Sequence, residues 1–233
     1  MIWIGTSGFQ YPEWKGTFYP ETLSAAKMLP YYAERFPTTE INYSFYRVPA
    51  VSTIARWDSE TPSQFRFSFK APREITHVKK LRDCVETLTR FHKSIQTLGS
   101  KLGVVLFQLP PNFGRDVSLL TDFLKLLPRE MKCAFEFRHP SWFDDETFSA
   151  LRNANVALCI AESDSLETPV EATADFGYFR LRKTAYSPAE MKRRAEIIER
   201  QNADAPDIFV YFKHEESGTG PKFARQLMDV LKI

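Results

Sequence analysis

The sequence predicts an α/β fold, a TIM-like (β/α)8 barrel with an irregular sixth β/α unit. Three observations predict it. Short apolar runs of strand length occur eight times in 233 residues, most of them followed by a segment with helical spacing. The runs are apolar on both faces, as expected when helices cover one side and a packed interior fills the other. The length suits one domain over 1–233. A doubly wound open sheet is the alternative that the same alternation allows.

Residues 2–6 read as the first strand. Met28, Leu29, Tyr32, Ala33 and Phe36 share a helical face, and Pro30 limits where that helix starts. Strand two is 38–42 and helix two 51–59. Strand three, 66–70, leads through a proline-containing loop to a helix striped by Val85, Leu88, Phe91, Ile95 and Leu98. Strand four, 103–108, stops at Pro110-Pro111, and Leu119, Leu120, Phe123, Leu124 and Leu127 mark the next helix. Strand five is 132–137, with a helix over 144–153. Strand six is 156–161. Residues 162–175 lack an apolar helical stripe, so the sixth helix is expected to be missing or vestigial. Strand seven is 176–181, followed by a charged helix over 188–200. Strand eight is 208–213, and 222–231 is the closing helix.

Composition excludes several classes. The high aromatic content (20 Phe, 9 Tyr, 4 Trp) suits a packed core and opposes disorder. A net charge of +2 is too balanced to announce nucleic-acid binding by bulk charge, so any basic patch must be local. Cys84, Cys133 and Cys159 form no CxxC pair, which argues against a zinc knuckle or disulfide framework. The start, Met1-Ile2-Trp3-Ile4-Gly5, does not read as a signal peptide, and no run is long enough to span a membrane. A cytoplasmic location is the expectation, with no membrane partner.

The strand ends carry the chemistry. Glu136 lies between two phenylalanines, and a carboxylate in an apolar strand is costly unless paired or used. Side chains alternate with period two, so each strand presents one polar parity: Glu40 with Asn42, Ser68 with Lys70, Gln108, Glu136 with Arg138, Tyr178 with Arg180 and Arg182, and Tyr211 with Lys213. If that parity faces inward, these groups meet at the C-terminal mouth, where barrel enzymes place their sites. Glu40, Glu136 and Lys70 are the catalytic candidates, the acids for proton transfer and the lysine for Schiff-base chemistry. Thr6, Ser7, Asn42, Tyr46, His77, Gln108, Arg138, His139, Arg180 and Lys213 are the ligand-binding candidates. Excess cations favour an anionic ligand, and arginine suits phosphate or carboxylate. The bland reading is an ion network that closes the barrel top.

Two loops offer additions. Gly5-Thr6-Ser7-Gly8 reads either as an anion-binding nest or as a plain tight turn. Phe9, Tyr11, Trp14, Phe18 and Tyr19 read either as a stacking platform or as a loop folded on its own aromatics. No cofactor is expected. If a divalent metal binds, its ligands are His139, His214 and Glu136, although no local ligand spacing supports a site and the nearby cations would repel one.

The motifs resemble the bacterial YecE-like family, domain of unknown function 72, across nearly the whole chain. The matching stretches are Gly5-Thr6-Ser7-Gly8-Phe9 with Tyr11, Trp14 and Phe18-Tyr19-Pro20; Glu40-Ile41-Asn42 with Phe45-Tyr46; Lys70-Ala71-Pro72 with Ile75-Thr76-His77; Phe107-Gln108-Leu109-Pro110-Pro111; and Glu136-Phe137-Arg138-His139-Pro140-Ser141-Trp142. The resemblance implies a TIM-barrel-like fold and no assigned reaction. Members typically carry Asn-Asn after strand eight, where this chain has Lys213-His214. After strand seven they often carry Arg-Leu-His-Gly, where this chain has Arg180-Leu181-Arg182-Lys183. Both departures add charge at the expected site. The leading functional expectation is an enzyme, a hydrolase or lyase, acting on a phosphorylated molecule or phosphodiester. The alternatives are a non-catalytic nucleic-acid or nucleotide binder and a metal-dependent hydrolase. Oligomeric state is not legible.

Overall fold

Eight parallel strands close on themselves in sequence order: β1 (Ile2–Ser7), β2 (Thr38–Ile41), β3 (Arg66–Lys70), β4 (Leu102–Gln108), β5 (Cys133–Glu136), β6 (Ala157–Glu162), β7 (Phe176–Leu181) and β8 (Asp207–Phe212). Pairing of β1 with β8, Ile2 opposite Ile208 through Thr6 opposite Phe212, completes the barrel. The open-sheet alternative is thereby excluded. The computed structural model describes residues 1–164 and 167–233.

Seven α-helices surround the strands among the described residues: α1 (Met28–Ala33), α2 (Val51–Ser59), α3 (Val85–Ile95), α4 (Val117–Leu124), α5 (Asp145–Asn153), α6 (Pro188–Asp204) and α7 (Thr219–Leu231). Their starts follow local chemistry. Asp116 and Asp144 accept the backbone N–H of Leu119 and Thr147, satisfying donors that a helix start leaves open. Ser187 and Glu190 form a capping box with Pro188 at the first helical position. Pro30 falls in the first turn of α1, where no N–H is needed. The charged helix runs four residues beyond the expected end, to Asp204, and the closing helix starts three earlier, at Thr219. Between β6 and β7 no helix occurs among the described residues, as the missing apolar stripe predicted; residues 165 and 166 of that segment lie outside them.

Side chains divide into two buried layers. Phe67, Phe69, Phe107, Phe135 and Val210 point outward to the helices. Phe107 stacks on Phe135 with centroids 5.3 Å apart. Trp3, Val104, Leu106, Ala134, Cys159, Tyr178, Phe209 and Tyr211 fill the interior. The inward parity is therefore the one that ends in Glu40, Gln108, Glu136 and Arg180. Halfway up, Tyr211 Oη meets Thr38 Oγ1 at 2.7 Å and donates to Ser68 Oγ at 2.8 Å, so the polar atoms there are paired with one another. Among the described residues, no helix is long and apolar enough to cross a membrane.

Candidate functional site at the barrel mouth

Arg180 is the centre of the mouth. It is 1% exposed, and the Glu40 and Glu136 carboxylates beside it are 0% exposed. Its Nη1 donates to Glu136 Oε2 at 2.5 Å. Its Nε and Nη2 donate to Glu40 Oε1 at 3.2 and 2.9 Å. The same guanidinium reaches Ser7 Oγ at 3.3 Å and Gln108 Oε1 at 3.5 Å. Register explains the convergence: Ser7 lies beside Glu40, and Gln108 beside Glu136, on neighbouring strands. One arginine from β7 thus ties β2 to β5 across the lumen.

Both carboxylates are saturated. Glu40 also accepts from Ser7 Oγ and, at 2.6 Å, from Tyr178 Oη. Asn42 donates to Ser7 Oγ at 2.6 Å. Glu136 Oε1 takes Arg138 Nε at 3.0 Å and lies 3.5 Å from Arg182 Nη2. Burial alone would raise both acids. Arg180, with Ser7 and Tyr178, holds Glu40 below the usual carboxylate range. Arg180, Arg182 and Arg138 hold Glu136 down at about 2. Both acids are fixed anions that orient Arg180, and neither is tuned to exchange protons near neutrality.

This has a measurable consequence. An acid depressed in the fold contributes stability above its unfolded value, near 4.5, and loses it as pH falls through the folded value. Acid unfolding should therefore steepen between pH ~4.5 and ~2, and Glu136→Gln should flatten that limb when melts are followed by circular dichroism.

The free cations lie around this core. Lys70 Nζ sits 4.0 Å from the Phe45 ring centroid. Burial, then Arg180, lowers its ammonium to about 8. Burial, then Arg180, also lowers Lys213, whose Nζ is 3.8 Å from Glu215. The His77 ring packs edge-on to Phe45 at 5.0 Å and its Nδ1 is 2.9 Å from Thr76 Oγ1. Burial, then Lys70, lowers it to about 4, so His77 is neutral at ordinary pH. A cavity of about 410 Å3 opens beside Lys213, lined by Arg182, Thr184, Lys213, His214, Glu215 and Glu216. The larger cavity of about 910 Å3 lies at the opposite end, where α4 and α5 meet the starts of β5, β6 and β7, far from the buried charge.

Several residues fall elsewhere than the sequence suggested. Thr6 has the outward parity. Its N–H and hydroxyl are bonded to Tyr32 Oη of α1 at 2.8 and 2.9 Å. The Gly8 N–H donates to Glu40 O at 2.7 Å. Gly5, Thr6 and Ser7 thus end β1 itself, in register with β2, and the Thr6 and Gly8 N–H groups are used internally, so the segment is neither the tight turn nor the anion nest. Phe9, Trp14 and Tyr19 are buried, and Trp14 Nε1 donates to Glu215 O at 3.0 Å, so the proposed stacking platform is a loop packed on itself and on the β8 loop. Tyr46 stands on the rim, 80% exposed beside Phe45, apart from the network. His139 Nδ1 lies 2.7 Å from Ser141 Oγ and accepts the Ser141 N–H at the start of a 3-10 turn (Pro140–Trp142). His214 is enclosed by Tyr186, Phe212 and Phe223, with Nε2 2.6 Å from the Lys183 carbonyl. His139, His214 and Glu136 do not converge, and no cluster of three or more His, Cys, Asp or Glu suited to a metal ion occurs among the described residues. Arg182 and Tyr178 were not among the candidates; their shared parity with Arg180 was the available signal.

The chain is 32% identical over 273 residues to the UPF0759 protein YunF of Bacillus subtilis (100% of this chain, 95% of that protein). It is 34% identical over 144 residues to the UPF0759 protein YecE of Escherichia coli, covering 61% of this chain and only about half (50%) of YecE's length. A crystal structure of a DUF72 family protein from Thermotoga maritima superposes with a TM-score of 0.89 at 28% identity, covering both chains completely. A glycoside hydrolase family 5 enzyme from Prevotella bryantii, with a TM-score of 0.57 at 7% identity, shares the fold alone. A family model described as "Protein of unknown function DUF72" matches residues 3–233, and the chain belongs to that family.

Proposed function

We propose that the mouth of the barrel binds a small anion, a phosphorylated or carboxylated molecule, and that the protein is an enzyme acting on it. The observation that carries this is a charge imbalance on a rigid base. Arg180, Arg138, Arg182, Lys70 and Lys213 stand against the buried Glu40 and Glu136 and the rim carboxylates Glu215 and Glu216, and Arg180 bridges both buried acids, so the cations at the mouth are in excess by one. Arg138, Arg182 and Lys213 are left with donors toward the opening, and arginine forks suit phosphate or carboxylate oxygens. Glu40 and Glu136 enter this reading as positioning residues. Lys70, lowered to about 8, is the group able to move a proton near neutral pH.

Calorimetric titration with inorganic phosphate tests the reading. Binding should weaken as salt screens the partly exposed cations. Arg182→Gln and Lys213→Gln should each lower affinity roughly tenfold, the loss of one charge-assisted contact. If neither phosphate nor small carboxylates bind at millimolar concentration, or if the variants bind as the parent does, the proposal fails.

A further inference from the structure

We propose that Lys70 is a point of reversible covalent attachment, its ε-amine condensing with the aldehyde or ketone carbon of a small anionic carbonyl compound. This rests on the anion-binding reading and narrows its substrate class. Lys70 ends β3 on the inward parity, so its amine rises into the mouth. Among the described residues its Nζ has no hydrogen-bond or ion-pair partner and rests against the Phe45 ring, while its carbonyl accepts from Ser44 Oγ at 2.6 Å. Other lysines lack this combination. Lys101 is buried too, but is held by Asp58 Oδ1 at 3.0 Å and by the Thr61 carbonyl at 2.8 Å. Lys213 faces the same mouth but has Glu215 beside it, which favours its ammonium form. An apolar floor and cationic neighbours, with no carboxylate in contact, are the setting in which a lysine supplies a free amine. The same cations would hold the anionic end of the compound.

The step balances without any further reagent. The ammonium gives up a proton, the freed Nζ lone pair attacks the carbonyl carbon, and the C=O π pair moves to oxygen. Proton transfer yields a carbinolamine. Its C–O bond then breaks, the hydroxyl leaves as water with the returned proton, and a protonated C=N bond remains. Ammonium plus carbonyl thus gives iminium plus water. Solvent at the open mouth takes and returns that proton, since a ring lowered to about 4, as His77 is, is too weak a base to hold it at neutral pH.

Trapping tests this. The protein is incubated with glyoxylate, pyruvate or glycolaldehyde phosphate, reduced with cyanoborohydride, digested and mapped by mass spectrometry. The expected result is a reduced adduct on Lys70 with at least one of these probes, exceeding that on any surface lysine by about tenfold or more. Uncharged glycolaldehyde should label it less, inorganic phosphate should suppress the adduct, and Lys70→Arg should remove it. If Lys70 stays unmodified by all three while the protein still titrates with inorganic phosphate, the covalent inference is wrong and the anion site stands. If neither labelling nor phosphate binding occurs, both fall. Equal labelling by glycolaldehyde, unaffected by phosphate, would overturn the anionic substrate class.

Discussion

Replacing Arg180 with methionine is expected to cost about 3–5 kcal/mol, the range for breaking a buried ionic cluster by removing one partner. For a chain of this size that corresponds to a fall in melting temperature of roughly 10 °C or more. Glu40 and Glu136 are fully enclosed, and Arg180 donates to both. Without it, Glu40 keeps only Ser7, Tyr178 and the dipoles around them, and two anions remain in a low-dielectric lumen. Protonation relieves such a defect, so the gap between variant and parent should narrow as pH drops toward 4.5. Adding Glu40→Gln and Glu136→Gln to Arg180→Met should recover part of the loss. A single Arg180→Met variant melting within a degree or two of the parent would show that the cluster contributes little net energy.

Gly5→Ala is expected to be as damaging, by sterics alone. A Cβ on Gly5 would lie 2.0 Å from Thr38 O and 2.9 Å from Tyr32 Oη. Neither can retreat cheaply. Gly5 is paired with Thr38 in the β1–β2 register, and the Tyr32 hydroxyl donates to Thr38 O at 3.0 Å while accepting the Thr6 N–H. Overpacking of this kind costs about 3 kcal/mol or more when backbone must move. Denaturant unfolding should place the midpoint of Gly5→Ala well below the parent's with little change in slope. A midpoint within error of the parent's would mean that the two strands yield easily at this crossing.

Much of this was legible in the residues. Strand parity alone aligned Glu40, Gln108, Glu136 and Arg180, because a buried barrel strand must send alternate side chains inward. Pairing across the lumen was not legible. Nothing local says that Arg180 divides itself between Glu40 and Glu136, since those strands are far apart in sequence. Hence the sequence offers two acids as proton carriers without showing that both are ion-paired to one arginine. For the aromatic loop after β1 the sequence left two readings, and the loop folded on its own aromatics is the one found: Trp14 and Tyr19 bury themselves against each other and the β8 loop, a choice that only tertiary packing decides. The histidines past the strand ends read as possible ligands because sequence carries no direction. His139 turns to its own backbone, and His214 is walled by rings.

The guanidinium that joins β2, β5 and β7 also sets a limit on guests. Arg180, the two carboxylates and the Tyr178 and Tyr211 side chains are all 1% exposed or less, so the lumen is filled and sealed at the level of this cluster. Any molecule bound at the mouth, as proposed, would rest above this girder, within the depth that the surrounding loops supply. Selectivity for shape and size would then belong to those loops rather than to the filling of the lumen below.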